Sequence, residues 1–237
     1  MPQNLMDNLS TLGMIINIGT RNTVTIEAGD NVNGFATVYI GQIVNCWGAY
    51  ENVPEVPFHI ESQTVVGDQV IPASPTTVPG SADAATILSG LAQQMALRFE
   101  NNGVSVKLSN AYYYGSPWDQ AQQVARDAGI GMVRENGVLA IWPQNGSRGG
   151  AIPQVDPSHG LIGYPTYVAN GIEIRTVFNP SITLGGQISV ESTLKEASKT
   201  WRVFALNHSL DSLLPNGLWE SRIACSPLAT TPILPPF

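Results

Sequence analysis

Three histidines, two cysteines and eighteen carboxylates are the side chains of this chain that could do chemistry, and their spacing brings few of them together. His59, His159 and His208 stand far apart, with no HxxxH, no CxxC and no acidic cluster beside any of them. The metal signatures legible in sequence place ligands at short fixed spacings; none occurs here, and no metal site is predicted. His208 falls in an expected strand and reads as a hydrogen-bonded structural histidine. Asp156 and His159 share the loop Asp156-Pro157-Ser158-His159-Gly160 and have the residue types of an acid/base pair. An Asp before Pro is also ordinary turn chemistry, and that reading is preferred.

Nucleophilic catalysis finds no better support. The chain has no G-x-S-x-G elbow, and neither Cys46 nor Cys225 has the basic or helix-start context that lowers a thiol pKa. Both cysteines lie in apolar strand contexts and are expected as buried free thiols; two in this length make no disulfide framework. Residues 146–150, Gly-Ser-Arg-Gly-Gly, lack the Lys-Ser/Thr and the strand–helix setting of a phosphate cradle. Glycoside hydrolysis needs two carboxylates projected into one cleft. Glu51, Glu55 and Glu61 are candidates only by default, while Glu100, Glu135 and Glu191 read as surface or strand-edge acids. Trp47, Trp142, Trp201 and Trp219 are expected as core or interface anchors. Tyr112, Tyr113 and Tyr114 form either a sugar platform or, preferred here, a packing surface against a neighbouring sheet. No catalytic, cofactor-binding or metal residue is assigned, and no cofactor is expected.

The elements around these residues are mainly strands. A short helix or turn is expected over 4–13. Residues 22–28, 36–47 and 58–63 read as an antiparallel β unit, with turn-forming residues 29–34 inside it. Residues 71–81, with three prolines and a glycine, read as a linker. The period then becomes helical: Ser81 is the expected N-cap of a helix through Phe99, with Ala84, Ile87, Leu88, Leu91, Ala92, Met95 and Phe99 on one face. A strand follows over 104–109. Ser116 and Pro117 start a second helix that Gly129 ends. Asn136-Gly137 marks a hairpin between 132–135 and 138–142.

Residues 144–168 read as a long loop, of the kind that is functional or wraps a neighbour. Beyond it, 171–178, 187–193, 200–209 and 218–225 read as a meander suited to a barrel or sandwich. The four prolines of 227–237 suggest an extended tail, either a free end or a docking arm. The expected fold is α+β and mainly β: an N-terminal β region (1–75), a two-helix α+β unit (76–145), a C-terminal antiparallel barrel- or sandwich-like region (146–226) and the tail (227–237).

Composition narrows the partners. Hydrophobic residues make up 43% and charged residues only 12%. That argues for a folded chain, and part of its surface is expected to be covered by other subunits. Polar uncharged β faces account for the low charge equally well. A net charge of −7, with basic residues scattered, disfavours specific nucleic-acid binding. The first thirteen residues have neither a basic region nor an apolar core, so no signal peptide is expected. No apolar run has the length to span a bilayer, and no membrane partner is expected.

The order of several ordinary motifs carries a resemblance. Asn170-Gly171 through Phe178-Asn179-Pro180 is followed by Gly185-Gly186 through Val190-Glu191-Ser192. Then come Thr200-Trp201-Arg202-Val203 through His208 and Asp211-Ser212, and Pro215-Asn216-Gly217 with Trp219 and Cys225. This stretch resembles the C-terminal part of central baseplate hub proteins of tailed phages, and residues 22–43 and 80–143 resemble the same family. The resemblance implies a non-enzymatic virion protein assembled in the host cytoplasm. It also implies a homotrimeric ring, of pseudo-sixfold symmetry, between the tail tube and the central spike with a channel for DNA. Implied partners are the tube or tube-initiator protein, the spike protein, the tape measure protein and other baseplate subunits. A carbohydrate- or receptor-binding β module is the alternative, and a cell-wall hydrolase the third reading.

Overall fold

A computed structural model of the chain describes residues 3–10, 22–30, 34–52, 54, 56–64 and 72–228. The remainder of the first helical stretch (11–13), Glu55 and residues 229–237 of the expected tail lie outside them. The described part is α+β and mainly β, as expected.

Helix α1 (Gln3–Leu9) packs near β2 of a three-stranded antiparallel sheet, β1 (Thr23–Asp30), β2 (Gly34–Gly48) and β3 (Phe58–Gln63), in the order β1-β2-β3. Among the described residues these strands pair only with one another.

The α+β unit begins where a linker is expected. Residues 76–83 instead form β4 (Thr76–Asp83), paired with β6 (Lys107–Tyr113). The pairing has a register shift between Val78 and Ser81, where Pro79 and Gly80 sit, and the Gly80 N–H donates to Asn110 Oδ1 at 2.9 Å. Proline is tolerated in an edge strand at a bulge because no ladder donor is needed there.

Helix α2 (Ala84–Gln94) is shorter than expected, and its N-cap is Asp83 rather than Ser81. The Asp83 carboxylate accepts from the N–H groups of Ala85 and Thr86. The helix stops because Ala96 adopts φ +53° and the Leu97 N–H turns back to the Ala92 carbonyl at 2.9 Å. Phe99 therefore belongs to β5 (Arg98–Asn101), which runs parallel to residues 138–141 of a later strand. Asn101 bonds both the N–H and the carbonyl of Val104, so the next strand starts at Lys107 instead of 104.

Helix α3 (Pro117–Ala128) matches its sequence signals. Ser116 and Asp119 form a capping box, Pro117 opens the helix, and Gly129 closes it at φ +60°. Strands β7 (Ile130–Glu135) and β8 (Val138–Pro143) meet at Asn136 and Gly137, both at positive φ. The two helices and the strands enclose one core around Leu88, Leu91, Val124, Leu139 and Ile141.

The expected long loop 144–168 contains two strands, β9 (Gln154–Val155) and β10 (Leu161–Val168). Strand β10 is again a bulged edge strand: Gly163 takes φ +73°, and Pro165 falls inside the register shift between Ile162 and Thr166. With β11 (Gly171–Val177), β12 (Gln187–Val190), β13 (Thr200–Leu210) and β14 (Trp219–Ser226) they form a six-stranded sheet that curls into a half-barrel. Its order, β10-β11-β14-β13-β12-β9, is not the expected meander. Strand β11 pairs with β14 rather than β12, and β9 runs parallel to β12. The chain between β11 and β12 instead crosses to the far side and seats Ile182 in the core beside Ile188, Trp201, Val203 and Ile223. Burying each such aliphatic side chain is worth about 1.5–3 kcal/mol, which outweighs the short connection of a simple hairpin.

Candidate functional site

The residues with catalytic chemistry stay dispersed. His59 is stacked on Trp47 across the β2–β3 pair, with ring centroids 5.0 Å apart. His159 Nδ1 lies 2.7 Å from Asp156 Oδ2. Burial pushes the Asp156 carboxyl up, but hydrogen bonds from the His159 ring and from the Ser158 and His159 N–H groups outweigh it and hold it below the ordinary range. Those two N–H groups donate to Asp156 Oδ1 at 2.7 and 2.9 Å, which is the geometry of an Asp-centred turn. His208 Nδ1 is 2.7 Å from Ser221 Oγ with the Phe178 ring edge-on to it, and burial lowers its pKa.

Both cysteines are buried and unbridged; burial pushes the Cys225 thiol up to about 12, and Cys46 Sγ–H donates to the Leu9 carbonyl. Among the described residues no three His, Cys, Asp or Glu side chains gather as metal ligands, and no helix is long and apolar enough to cross a membrane. Glu51 is exposed in a short 3₁₀ turn, and Glu61 accepts a long 3.4 Å bond from Asn45.

The tyrosine run divides by strand alternation. Tyr113 is buried in the core, its hydroxyl donating to Asp127 at 3.1 Å, and burial followed by that contact raises its pKa to about 12. Tyr112 and Tyr114 are exposed on the other face with ring centroids 6.3 Å apart. They do not pack against a neighbouring sheet among the described residues, which corrects that expectation.

Two carboxylates do converge, and they are ones read as ordinary surface acids. Glu100 on β5 and Glu135 on β7 both grip Arg148, the middle residue of Gly-Ser-Arg-Gly-Gly. Arg148 Nε and Nη2 donate to Glu100 at 3.0 and 3.2 Å, and Nη1 donates to Glu135 at 2.5 Å. The Arg148 side chain is only 10% exposed. Its hydrogen bond outweighs the opposing effect of burial and holds the Glu100 carboxyl below the ordinary glutamate range. This is an ion-pair joint without a nucleophile, and the sequence signal for it, one Arg among glycines, is too common to have found it.

Surface is the other functional resource. In the N-terminal sheet and α1 the buried apolar side chains, among the described residues, are Met6, Ala28 and Cys46, while Ile26, Phe35, Trp47 and Ile60 of the sheet are exposed, Phe35 to 67%. A three-stranded sheet without its own core is marginal in water, and exposed apolar area of this kind marks contact surfaces. Residues 1–97 carry eight acids and one base, whereas 98–237 carry ten of each, so the whole net charge lies on the N-terminal part. The hairpin tip after β13 exposes Leu213 and Leu214. A groove of about 250 Å³ on the six-stranded sheet is lined by Glu173, Asn207 and Arg222 with Ala205, Leu206 and Ala224 between them.

Exposed apolar surface, rather than a gathered set of catalytic side chains, is what the described residues offer, and similarity gives the class. In fold it is similar to a tail protein from Neisseria meningitidis MC58, at TM-score 0.58 and 10% identity, covering 86% of each chain. It is also similar to the 43 kDa tail protein of prophage MuSo2 from Shewanella oneidensis, at TM-score 0.55 and 9% identity, covering 81% of this chain and 77% of that one. No curated protein sequence matches it. The family described as Baseplate hub gp41 matches residues 6–213, and the chain belongs to that family. It is a structural component of a phage tail baseplate.

Proposed function

We propose that this chain forms a homotrimeric hub ring that joins the tail tube to the central spike and leaves a channel through which DNA leaves the virion. The observation that carries the reading is the N-terminal sheet, a three-stranded sheet that exposes Ile26, Phe35, Trp47 and Ile60 and has no core cluster among the described residues. Such a sheet is stable when another subunit covers it. Two β regions per chain in three copies offer six sheet surfaces around a ring, three of each kind, to a sixfold tube, while the opposite side keeps threefold symmetry for the spike. The acid-rich residues 1–97 support a lumen that repels the phosphate backbone. The division at 75, 145 and 226 is part of this reading. So are assembly in the host cytoplasm, contacts with the tape measure and other baseplate proteins, and a role without catalysis, cofactor or metal.

Molar mass by light scattering across a concentration series, with and without the cognate spike protein, tests it. A trimer, or a monomer that becomes a 3:3 complex with spike, supports the hub. A monomer indifferent to spike overturns it. One observation favours a second reading: the exposed Tyr112–Tyr114 pair suits a sugar ring. Glycan-array binding lost in Y112A/Y114A would move the assignment to a carbohydrate-binding tail module.

A further inference from the structure

Segment 144–150 connects the α+β unit to the six-stranded sheet, and it is fastened to both. The Arg148 guanidinium makes three bonds to carboxylates on two strands of one sheet, β5 and β7. A planar, always-charged fork gripped by two acids has little freedom left. The main chain of the same residue is tied the other way, its N–H donating to the Gly185 carbonyl at 2.7 Å. One residue thus holds one unit with its side chain and the other with its backbone.

The neighbours repeat the pattern. The Gly149 N–H donates to Asn102 Oδ1 at 2.7 Å on the α+β side. On the other side Gln187 Nε2 donates to Ser147 Oγ at 2.6 Å. Arg202 of β13 reaches back and donates from Nη1 to the Gln144 and Gly146 carbonyls, both at 2.8 Å. Beside these bonds the Trp142 ring lies flush on Gly185, where an added Cβ would come within 2.5 Å of it. A tether between independent units would satisfy its polar groups with water. This one is bonded at nearly every residue across the junction.

We infer that Arg148 is the clasp of a rigid joint, which makes the α+β unit and the C-terminal half-barrel one mechanical body with a fixed angle between their surfaces. The inference does not depend on the hub reading; in any assembly it presents partners with one composite face instead of two hinged ones. Arg148 is a positioning residue, and Glu100 and Glu135 are the acids that aim it.

The test is amide exchange together with calorimetry on the full chain, for wild type, R148A and R148K. In wild type residues 72–228 are expected to unfold in one transition with the amides of 148 and 149 protected. In R148A the transition is expected to split in two and protection at 148–149 to fall at least about tenfold. R148K keeps the charge but not the fork and is expected to fall between. A uniform drop in Tm with a single transition and unchanged protection at 148–149 would overturn the clasp, because an ordinary stabilising ion pair gives that result. Should R148A fail to fold, E135Q removes one of the two acids. Lost protection at 148–149 in E135Q supports the clasp, and wild-type protection overturns it.

Discussion

Arg148 and Glu100 show how a side chain acquires a role from its neighbours alone. Glu100 is an unremarkable acid in a polar stretch until the chain returns forty-eight residues later to place a guanidinium 3.0 Å away. Its folded pKa lies below the unfolded value, chiefly through that hydrogen bond. The stability it contributes is therefore complete above the ordinary glutamate pKa and is lost as pH falls through the lowered folded value. Urea midpoints from pH 7 down to about pH 3 should fall less steeply for E100Q than for wild type. Parallel curves would mean that Arg148 does not discriminate the ionised acid. Asp156 follows the same direction: hydrogen bonds from His159 and two backbone N–H groups outweigh burial, and the two backbone bonds close its loop into a turn.

At the scale of elements, two segments that read as linker and loop are strands. In both β4 and β10 the proline sits at a register shift of an edge strand, where its missing N–H costs nothing and its rigidity protects the edge from pairing with another chain. Proline in sequence signals that a residue cannot donate; whether it sits in a loop or on an edge depends on which strand lies beside it. The helices show the opposite case, where local signals suffice. Ser116 and Asp119 form their reciprocal cap as the spacing requires, and Leu88 is fully buried on the apolar face of α2. In urea denaturation S116A should cost about 1 kcal/mol and L88A about 2–5 kcal/mol. A cap loss equal to the core loss would contradict this assignment of weight to the buried face.

At the scale of the molecule, stability is distributed unevenly. Three core clusters hold residues 72–228, whereas the N-terminal sheet buries little of its own and lies within the acid-rich residues 1–97. Amides of β1–β3 should therefore exchange faster than those of β13 and β14 in the isolated chain, and slow markedly on assembly. Equal protection of the two sheets in an isolated monomer would remove the argument that the N-terminal sheet needs a cover.

The sequence by itself determined what depends on nearest neighbours along the chain: strand-forming runs, two helix faces, the cap at Ser116, the hairpin at Asn136-Gly137 and two buried thiols. The family was legible too, in the order of motifs between Asn170 and Cys225, and the match over residues 6–213 supports it. Tertiary structure decided what depends on residues far apart. It paired β11 with β14, because burying Ile182 beneath the sheet is worth more than a short hairpin. It turned Phe99 into a strand residue once Ala96 broke the helix. It also gathered Glu100, Glu135 and Arg148 from three segments into one joint, since charges attract across space regardless of their separation along the chain.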